Sequence, residues 1–542
     1  MSDTKWTYGA EARQDIDSYS PPWSSFAEFF GTRGRSEQAY LLARSSDDDK
    51  LVQWTTAEWQ RVVCSVADRL TEHGVKAGDN VVTLAGNTPE ALALAFATWL
   101  LGACLVPFDT GERDERHREI LAALGASYLC VGPRPDMLSR AKKHTGNKII
   151  RIRDLLLSRS GQVPSIPAAN VVPLDVPALR IYSSGTTGSP KSIVLTMRSI
   201  LLNCESMRRG FGWTDETRVM TVLPIHHVNG LLINSFLPWF VGGSTVLNEK
   251  FRAGMFWAAV DESGATTSSL VPTILEILLA QDHEPRPTTR MRQIISGSAP
   301  LRPETAVAFE TRFGIAVRQI YGLSENTAVL TVTPERENDV LPGELRASVG
   351  WVVPHVQVEV LDSEGKPCRE DQVGEIVARG GMLMAGYGDD NIATLEAFRG
   401  GWFHSGDLGH WHLGDDGKKW YFIDGRVKDV IIRGGETIIP EIIDSVVEAH
   451  PDVARAAAVG FPNRWYGEEI AVYVVADGEV SEAQLLQWCS ERLSYPMTPK
   501  VVLFGTDLPL TTLGKVRRKV LAQQAAHQLA THWDTSFREP RL

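Results

Sequence analysis

Cysteine is scarce in this chain: six in 542 residues, at Cys64, Cys104, Cys130, Cys204, Cys368 and Cys489. They are widely scattered, form no C-x-x-C pair and join no histidine at ligand spacing, which excludes a disulfide scaffold and a structural zinc site. Six such thiols are expected to be reduced and buried, in a cytoplasmic protein. Surplus positive charge is missing too. With 55 Lys+Arg against 66 Asp+Glu the formal net charge is −11, so neither nucleic acid nor an anionic membrane is an expected partner. Long apolar runs are also lacking. The longest, LALAFATWLLGACLVPF over 92–108, is interrupted by Gly102 and Pro107; it is too short to span a bilayer and predicts a buried helix followed by a strand. The first residues, MSDTKWTYGAEARQD, contain no apolar signal core. No internal repeat and no low-complexity tract occurs.

What is present is an ordinary globular composition, 43% hydrophobic and 22% charged, in a chain long enough for roughly three to four domain-sized pieces and a large core. A helical period opens at Thr56 in TAEWQRVVCSVADRL, with Thr55 or Thr56 placed to cap it. The strand-like VVTLAG, the 92–108 segment and a second strand near Ala103 to Val106 then alternate, which predicts βαβ units and a parallel sheet. Residues Gly161 to Pro177 read as an irregular connector. Beyond Pro354 the strands shorten and alternate (VQVEVLD, GEIVAR, KKWYFIDGRVKDVII), giving a β-rich subdomain over about residues 350–427. EIIDSVVEAHP, ARAAAVGF, EEIAVYVV and EAQLLQWCSERL then suggest a separate α+β domain. The expected organisation is an N-terminal α/β domain over 1–427 and a small mobile domain over 428–542.

The most informative segment is Ile181-Tyr-Ser-Ser-Gly-Thr-Thr-Gly-Ser-Pro-Lys191. A strand-like lead enters an unbroken run of hydroxyl and glycine residues and ends on a lysine. Glycines let the backbone approach a polyanion, hydroxyls and N–H groups donate to phosphate oxygens, and the lysine offsets charge. Pro190 stands where a Walker A loop requires its second glycine, so that motif is excluded. A solvated Ser/Gly/Thr loop is the bland alternative.

The segment closely resembles the first signature of the adenylate-forming superfamily, which includes acyl-CoA synthetases, nonribosomal adenylation domains and beetle luciferases. Further segments resemble its other signatures in the same order: Pro224-Ile-His-His-Val-Asn-Gly230, Ser296-Gly-Ser-Ala-Pro-Leu301, Tyr321-Gly-Leu-Ser-Glu325, Gly401-Trp-Phe-His-Ser-Gly-Asp-Leu-Gly409, Gly425-Arg-Val-Lys-Asp429 with Arg433-Gly-Gly-Glu436, and Pro509-Leu-Thr-Thr-Leu-Gly-Lys515.

The resemblance implies an acyl-CoA-synthetase-like fold and a two-step reaction: attack of a carboxylate on the α-phosphate of ATP with loss of pyrophosphate, then transfer of the acyl group to a thiol. It implies ATP and Mg²⁺, with CoA as the simplest thiol. Ser183, Ser184, Gly185, Thr186, Thr187, Gly188 and Lys191 would cradle phosphate, and Gly297, Ser298 and Ala299 would flank adenine. Tyr321 would stack on adenine beside Gly322, Ser324 would keep a hydroxyl for phosphate, and Glu325 would hold Mg²⁺. Asp407 and Arg426 would meet the ribose, and Lys428 stands at the hinge position. Gly434 and Gly435 would line a pantetheine passage, while His227 would sit near the acyl carboxylate. Lys515 would bridge carboxylate and α-phosphate as charge builds.

Certain positions depart from the pattern. His226 replaces an aromatic residue, Ser192 a glycine, and Met197-Arg198 stand where a histidine is common. Met497 occupies the place of a lysine that can meet CoA phosphates. The Phe-Asp motif that binds α-amino acids is absent. A free-standing carrier protein or an amine therefore stays open as acceptor, and a small inorganic acid such as nitrite as substrate. A luciferase-like oxygenase is the remaining enzymatic alternative.

Overall fold

The computed structural model describes residues 11–14, 19–33, 36–44, 50–126, 128–144, 146, 148–152, 172–182, 191–282, 289–335, 341–388, 390–510 and 516–529. The chain divides into two compact units, one built from residues up to 358 together with Ala378–Phe403, the other from Glu359–Val377 and the residues from His404 onward.

The first unit holds two sheets. In the larger, nine-stranded sheet, strands Ala316–Tyr321, Gln293–Ser296, Thr267–Leu270, Arg218–Thr221, Ser244–Leu247 and Ala39–Arg44 are neighbours in that order and run parallel. In the seven-stranded sheet, Pro177–Tyr182, Cys104–Pro107, Asn80–Leu84, Tyr128–Val131 and Lys148–Arg151 form the parallel part. Antiparallel strands finish the edges, among them Gly386–Tyr387 beside Ser192–Thr196. The expected βαβ alternation is therefore present, doubled into two sheets.

Local signals explain the elements. Thr55 accepts from the backbone N–H of Glu58, whose side chain answers the Thr55 N–H, and this reciprocal cap starts helix Thr56–Glu72. Helix Pro89–Leu100 is capped by Thr88, carries proline in its first turn and buries every residue from Ala91 to Leu100. Strand Cys104–Pro107 follows it, as the 92–108 segment predicted. Phe96 on that helix contacts Phe26, Phe30, Tyr40, Trp59, Trp99, Phe236 and Trp239 at ring-centroid distances of 5.6–6.3 Å. Aromatic groups from elements serving both sheets thus meet in one dry core.

In the second unit, strands Gly374–Arg379, Phe403–Leu413 and Lys419–Arg426 belong to a four-stranded sheet. A further sheet is built on the antiparallel pair Val453–Asn463 and Gly467–Ala476. The pair buries both faces. Ala456, Ala458, Ile470, Val472 and Val474 pack with Ile443, Val447, Leu485 and Cys489, whereas Ala457, Val459, Phe461, Ala471 and Tyr473 pack with Leu521, Ala525 and Leu529. Strict alternation of side chains sends successive residues to opposite helical layers. All six cysteines are buried and unpaired. No helix among the described residues is long and apolar enough to cross a membrane.

Candidate active site

In open α/β sheets, ligands bind beyond the carboxyl ends of the parallel strands. The sequence signatures of the first unit fall there. Strand Arg218–Thr221 leads into the His226–His227 loop, Gln293–Ser296 into Gly297-Ser298-Ala299, and Ala316–Tyr321 into Gly322 to Glu325. The phosphate-loop residues Ser183, Ser184, Gly185, Thr186, Thr187 and Gly188 lie outside the described residues, as do Lys515 and most of the 161–177 connector. Lys191, at the loop's exit, is described.

The Tyr321–Glu325 loop is tightly folded. A Cβ on Gly322 would come within 2.0 Å of the Ala328 carbonyl oxygen, so the glycine is required by close backbone approach. Glu325 lies in a 3-10 turn, Ser324–Asn326, and Thr327 follows with φ 74° and ψ −56°. The Ala328 N–H donates to Asn326 O at 3.0 Å, a γ-turn that few non-glycine residues adopt. Thr327 is fully buried and its hydroxyl donates to Met382 O at 2.7 Å, which offsets the strain and removes that hydroxyl from substrate contact. Ser298 also has a left-handed backbone, φ 73°. Two strained non-glycine residues thus stand in neighbouring site loops.

The Glu325 backbone carbonyl accepts from Met384 N–H at 2.7 Å, and its carboxylate oxygen Oε1 accepts from the Tyr387 hydroxyl at 3.0 Å. Lys191 Nζ lies 4.8 Å from the centroid of the Tyr387 ring. Tyr387 escaped the sequence analysis because it stands 62 residues from Glu325.

The His226–His227 loop is fastened by Asn87. Its amide donates to Leu223 O at 2.8 Å and to Asn248 O at 3.1 Å, and its Oδ1 accepts from Ile225 N–H at 2.9 Å. His226 Nε2 lies 3.4 Å from Asp109 Oδ1, and the two imidazole centroids are 4.3 Å apart. Burial, reinforced by His227, brings the His226 pKa down to about 3; burial lowers His227 as well. Both rings are neutral at pH 7. His227 Nε2 is buried without a partner. The π-helical segment Asn229–Phe236 follows, a form frequent at functional sites. Asn229, Asn234 and Ser296 are buried, and Asn234 Oδ1 and Ser296 Oγ have no partner.

Donor atoms of Asp109, His226 and His227 lie within 4.8 Å of one another. Mg²⁺ is a hard cation that takes oxygen, commonly one or two carboxylates plus phosphate. The imidazole-rich set does not fit it. Glu325 does, through a carboxylate just past the end of a parallel strand, held by the Tyr387 phenol beside Lys191.

In the second unit, Asp407 and Arg426 face each other across antiparallel strands, with Arg426 Nε 2.7 Å from Asp407 Oδ1. The sequence offered them as two separate ribose contacts; the fold makes them one ion pair, with Asp407 buried. Lys428 is exposed in a turn closed by Asp429 N–H on Arg426 O at 3.0 Å. Gly434 and Gly435 have φ 61° and 87° and join strands Ile431–Arg433 and Glu436–Ile438, a two-residue hairpin turn that demands positive φ at both positions. The Gly434 N–H donates to Tyr466 O at 2.8 Å. Beside the turn, buried Arg433 meets both carboxylate oxygens of Glu469 at 2.5 and 3.1 Å and lies 4.8 Å from the Tyr466 ring. Exposed Tyr495 carries Lys500 at 4.4 Å. Lys500 thus supplies a cation three residues along the chain from Met497.

The strand ends of the first unit thus carry a carboxylate, a lysine and two strained loops. The family described as "AMP-binding enzyme" matches residues 35–388, and "AMP-binding enzyme C-terminal domain" matches 443–515. The chain belongs to this family. It is 34% identical over 462 residues to a sulfoacetate–CoA ligase of Cupriavidus necator, covering 83% of this chain and 89% of that one. ATP-bound MatB from Rhodopseudomonas palustris superposes with a TM-score of 0.82 at 27% identity, covering 92% of this chain and 99% of that one. O-succinylbenzoate CoA synthetase (MenE) from Bacillus subtilis, in complex with ATP and magnesium, gives 0.78 at 25% identity, with coverage of 91% and 98%. The protein is an AMP-forming acid–thiol ligase that uses ATP and Mg²⁺, with CoA as co-substrate.

Proposed function

We propose that the acid activated by this cytoplasmic ligase is compact and polar. The observation that carries this reading is the His226–Asp109 contact, which puts a neutral imidazole and a carboxylate beside His227, at a position where the motif commonly has an aromatic residue. Leaving a buried polar atom unpaired costs about 1–3 kcal/mol. Partners from a bound acid at His227 Nε2, Asn234 Oδ1 and Ser296 Oγ would recover part of that cost. A relative named for sulfoacetate supports the same class.

In this reading the acid's carboxylate approaches beside His227 and attacks the α-phosphate. Lys515 and the phosphate loop supply positive charge where negative charge develops, which is where preorganised donors lower the barrier. Bound Mg²⁺, held by Glu325, would offset phosphate charge. Asp407 and Arg426 fix the ribose, and Tyr321 packs on adenine. A backbone rotation at Lys428 then exchanges the lysine loop for the Gly434–Gly435 turn. Glycines there leave room for the pantetheine arm. Arg464, Lys500 and the exposed rings of Trp465 and Tyr495, 54% and 69% accessible, supply charge and stacking surface for a nucleotide thiol.

The test is pyrophosphate release with ATP and Mg²⁺ over a panel of acids, with and without CoA. Short sulfonated, dicarboxylic or hydroxylated acids should outrun fatty and bulky aryl acids and yield a CoA thioester. Preference for a fatty acid would sink the polar-acid reading. Acid-dependent release without thioester would point to a carrier protein or an amine as acceptor.

A further inference from the structure

Residues 382–388 are bonded on two sides. On one, Gly386 and Tyr387 pair with Val194 and Ile193 of the strand that leaves the phosphate loop, and Ala385 N–H donates to Val194 O at 2.8 Å. Gly388 has φ 49°, and a Cβ there would lie 2.9 Å from Ser192 Cβ, so the two chains are in close contact just beyond Lys191. On the other side, Met384 N–H and Met382 O bind Glu325 O and the Thr327 hydroxyl, each at 2.7 Å. The Tyr387 N–H donates to Thr394 Oγ1 at 3.0 Å, which fixes its backbone. From this clamped segment the Tyr387 side chain reaches both functional groups: its hydroxyl donates to Glu325 Oε1 at 3.0 Å, and its ring faces Lys191 Nζ at 4.8 Å.

We propose that Tyr387 is the positioning residue that aligns the Mg²⁺-binding carboxylate with the phosphate-loop lysine, through its hydroxyl for the first and its ring face for the second. The proposal rests on the reading of Glu325 as the metal ligand. Mg²⁺ tolerates little departure from octahedral geometry. A carboxylate free to rotate must be ordered as the metal binds, whereas one already held by a phenol is presented in one orientation. Loss of such an outer partner typically weakens metal binding about 10–100-fold. The cation–π contact acts separately, restraining an ammonium on a flexible stem.

The two functions can be taken apart in the full-length enzyme. Tyr387→Phe keeps the ring and deletes the hydroxyl; Tyr387→Leu deletes both. Calorimetric titration with MgATP and with ATP in EDTA reads binding apart from catalysis, and pyrophosphate release against free Mg²⁺ reads the metal dependence. For Tyr387→Phe, the preference for MgATP over metal-free ATP should shrink about 10-fold. Half-saturation in Mg²⁺ should rise by a similar factor, with near-wild-type turnover at saturating Mg²⁺ and unchanged binding of metal-free ATP. Tyr387→Leu should in addition weaken metal-free ATP, through Lys191. A Tyr387→Phe variant with wild-type metal preference, beside a Glu325→Gln variant that has lost it, would overturn the role of Tyr387 alone. An unshifted Glu325→Gln would overturn the metal-ligand reading and the proposal with it. A drop in turnover equal at all Mg²⁺ concentrations would mark Tyr387 as merely structural.

Discussion

Replacing Gly322 by alanine inserts a single methyl where the chain has no room for one. The new Cβ would sit 2.0 Å from Ala328 O, 2.8 Å from its carbonyl carbon and 2.9 Å from Val329 Cα. Carbon–oxygen contacts of this kind rest at about 3.3 Å, so the loop must open by roughly 1.3 Å. All three obstructing atoms are backbone, and rotamer changes cannot relieve them. The loop is closed by Leu330 N–H on Tyr321 O at 2.8 Å and by the Tyr321–Thr331 strand pairing. Opening therefore displaces Tyr321, Ser324 and Glu325 together. Overpacking of this kind costs about 1–3 kcal/mol, and a 1 Å displacement of reacting groups costs on the order of 10²-fold in rate. ATP–pyrophosphate exchange should fall by that factor in Gly322→Ala. Gly297→Ala should be milder, because its nearest obstacle, at 2.5 Å, is the Ile320 side chain, which can move. Gly343→Ala, with nothing within 4 Å, should match the wild type. Gly322→Ala exchanging at the wild-type rate would refute the reasoning.

Lys515→Ala should lower the adenylation rate on the order of 10²–10³-fold while ATP binding by calorimetry is largely retained; equal exchange rates would remove Lys515 from the first half-reaction. His410 Nδ1 lies 2.8 Å from Asp424 Oδ2, and that hydrogen bond raises its pKa above the ordinary 6.5. The folded state holds this proton more tightly than the unfolded one. The stabilisation is therefore fully present below pH 6.5 and is lost as pH rises through the raised folded value. The thermal midpoint of Asp424→Asn should accordingly trail the wild type by more at pH 6 than at pH 8.5, and a gap that widens with pH would contradict the pairing. Burial pushes the thiols of Cys104 and Cys130 up to about 12. A disulfide reagent should find all six cysteines unreactive until the protein is denatured, and rapid labelling of the native protein would contradict their burial.

The elements of the fold were legible because their causes are local. Thr55 caps its own helix through Glu58, three residues on. The 92–108 segment divides into helix and strand where its glycine and proline fall. The unbroken apolar runs over 456–459 and 470–475 suit strands covered on both faces. Turn glycines were legible too, because a loop that turns with positive φ admits few residue types. Gly434 and Gly435 are an example, read first for an open passage and found to be demanded by the hairpin.

What joins those pieces was not written locally. Tyr387 reaches Glu325 from 62 residues away, Asn87 fastens a loop 138 residues away, and Asp109 meets His226 from the other sheet. Asp407 and Arg426 were expected at one ribose, but only strand register shows that they pair with each other. The sequence by itself determined the element types, the turn glycines and the chemical inventory, since these follow from periodicity and backbone sterics within a few residues. The tertiary structure alone decided which groups became partners, because strand order and register follow from packing of whole faces and leave no mark at either partner's position in the chain.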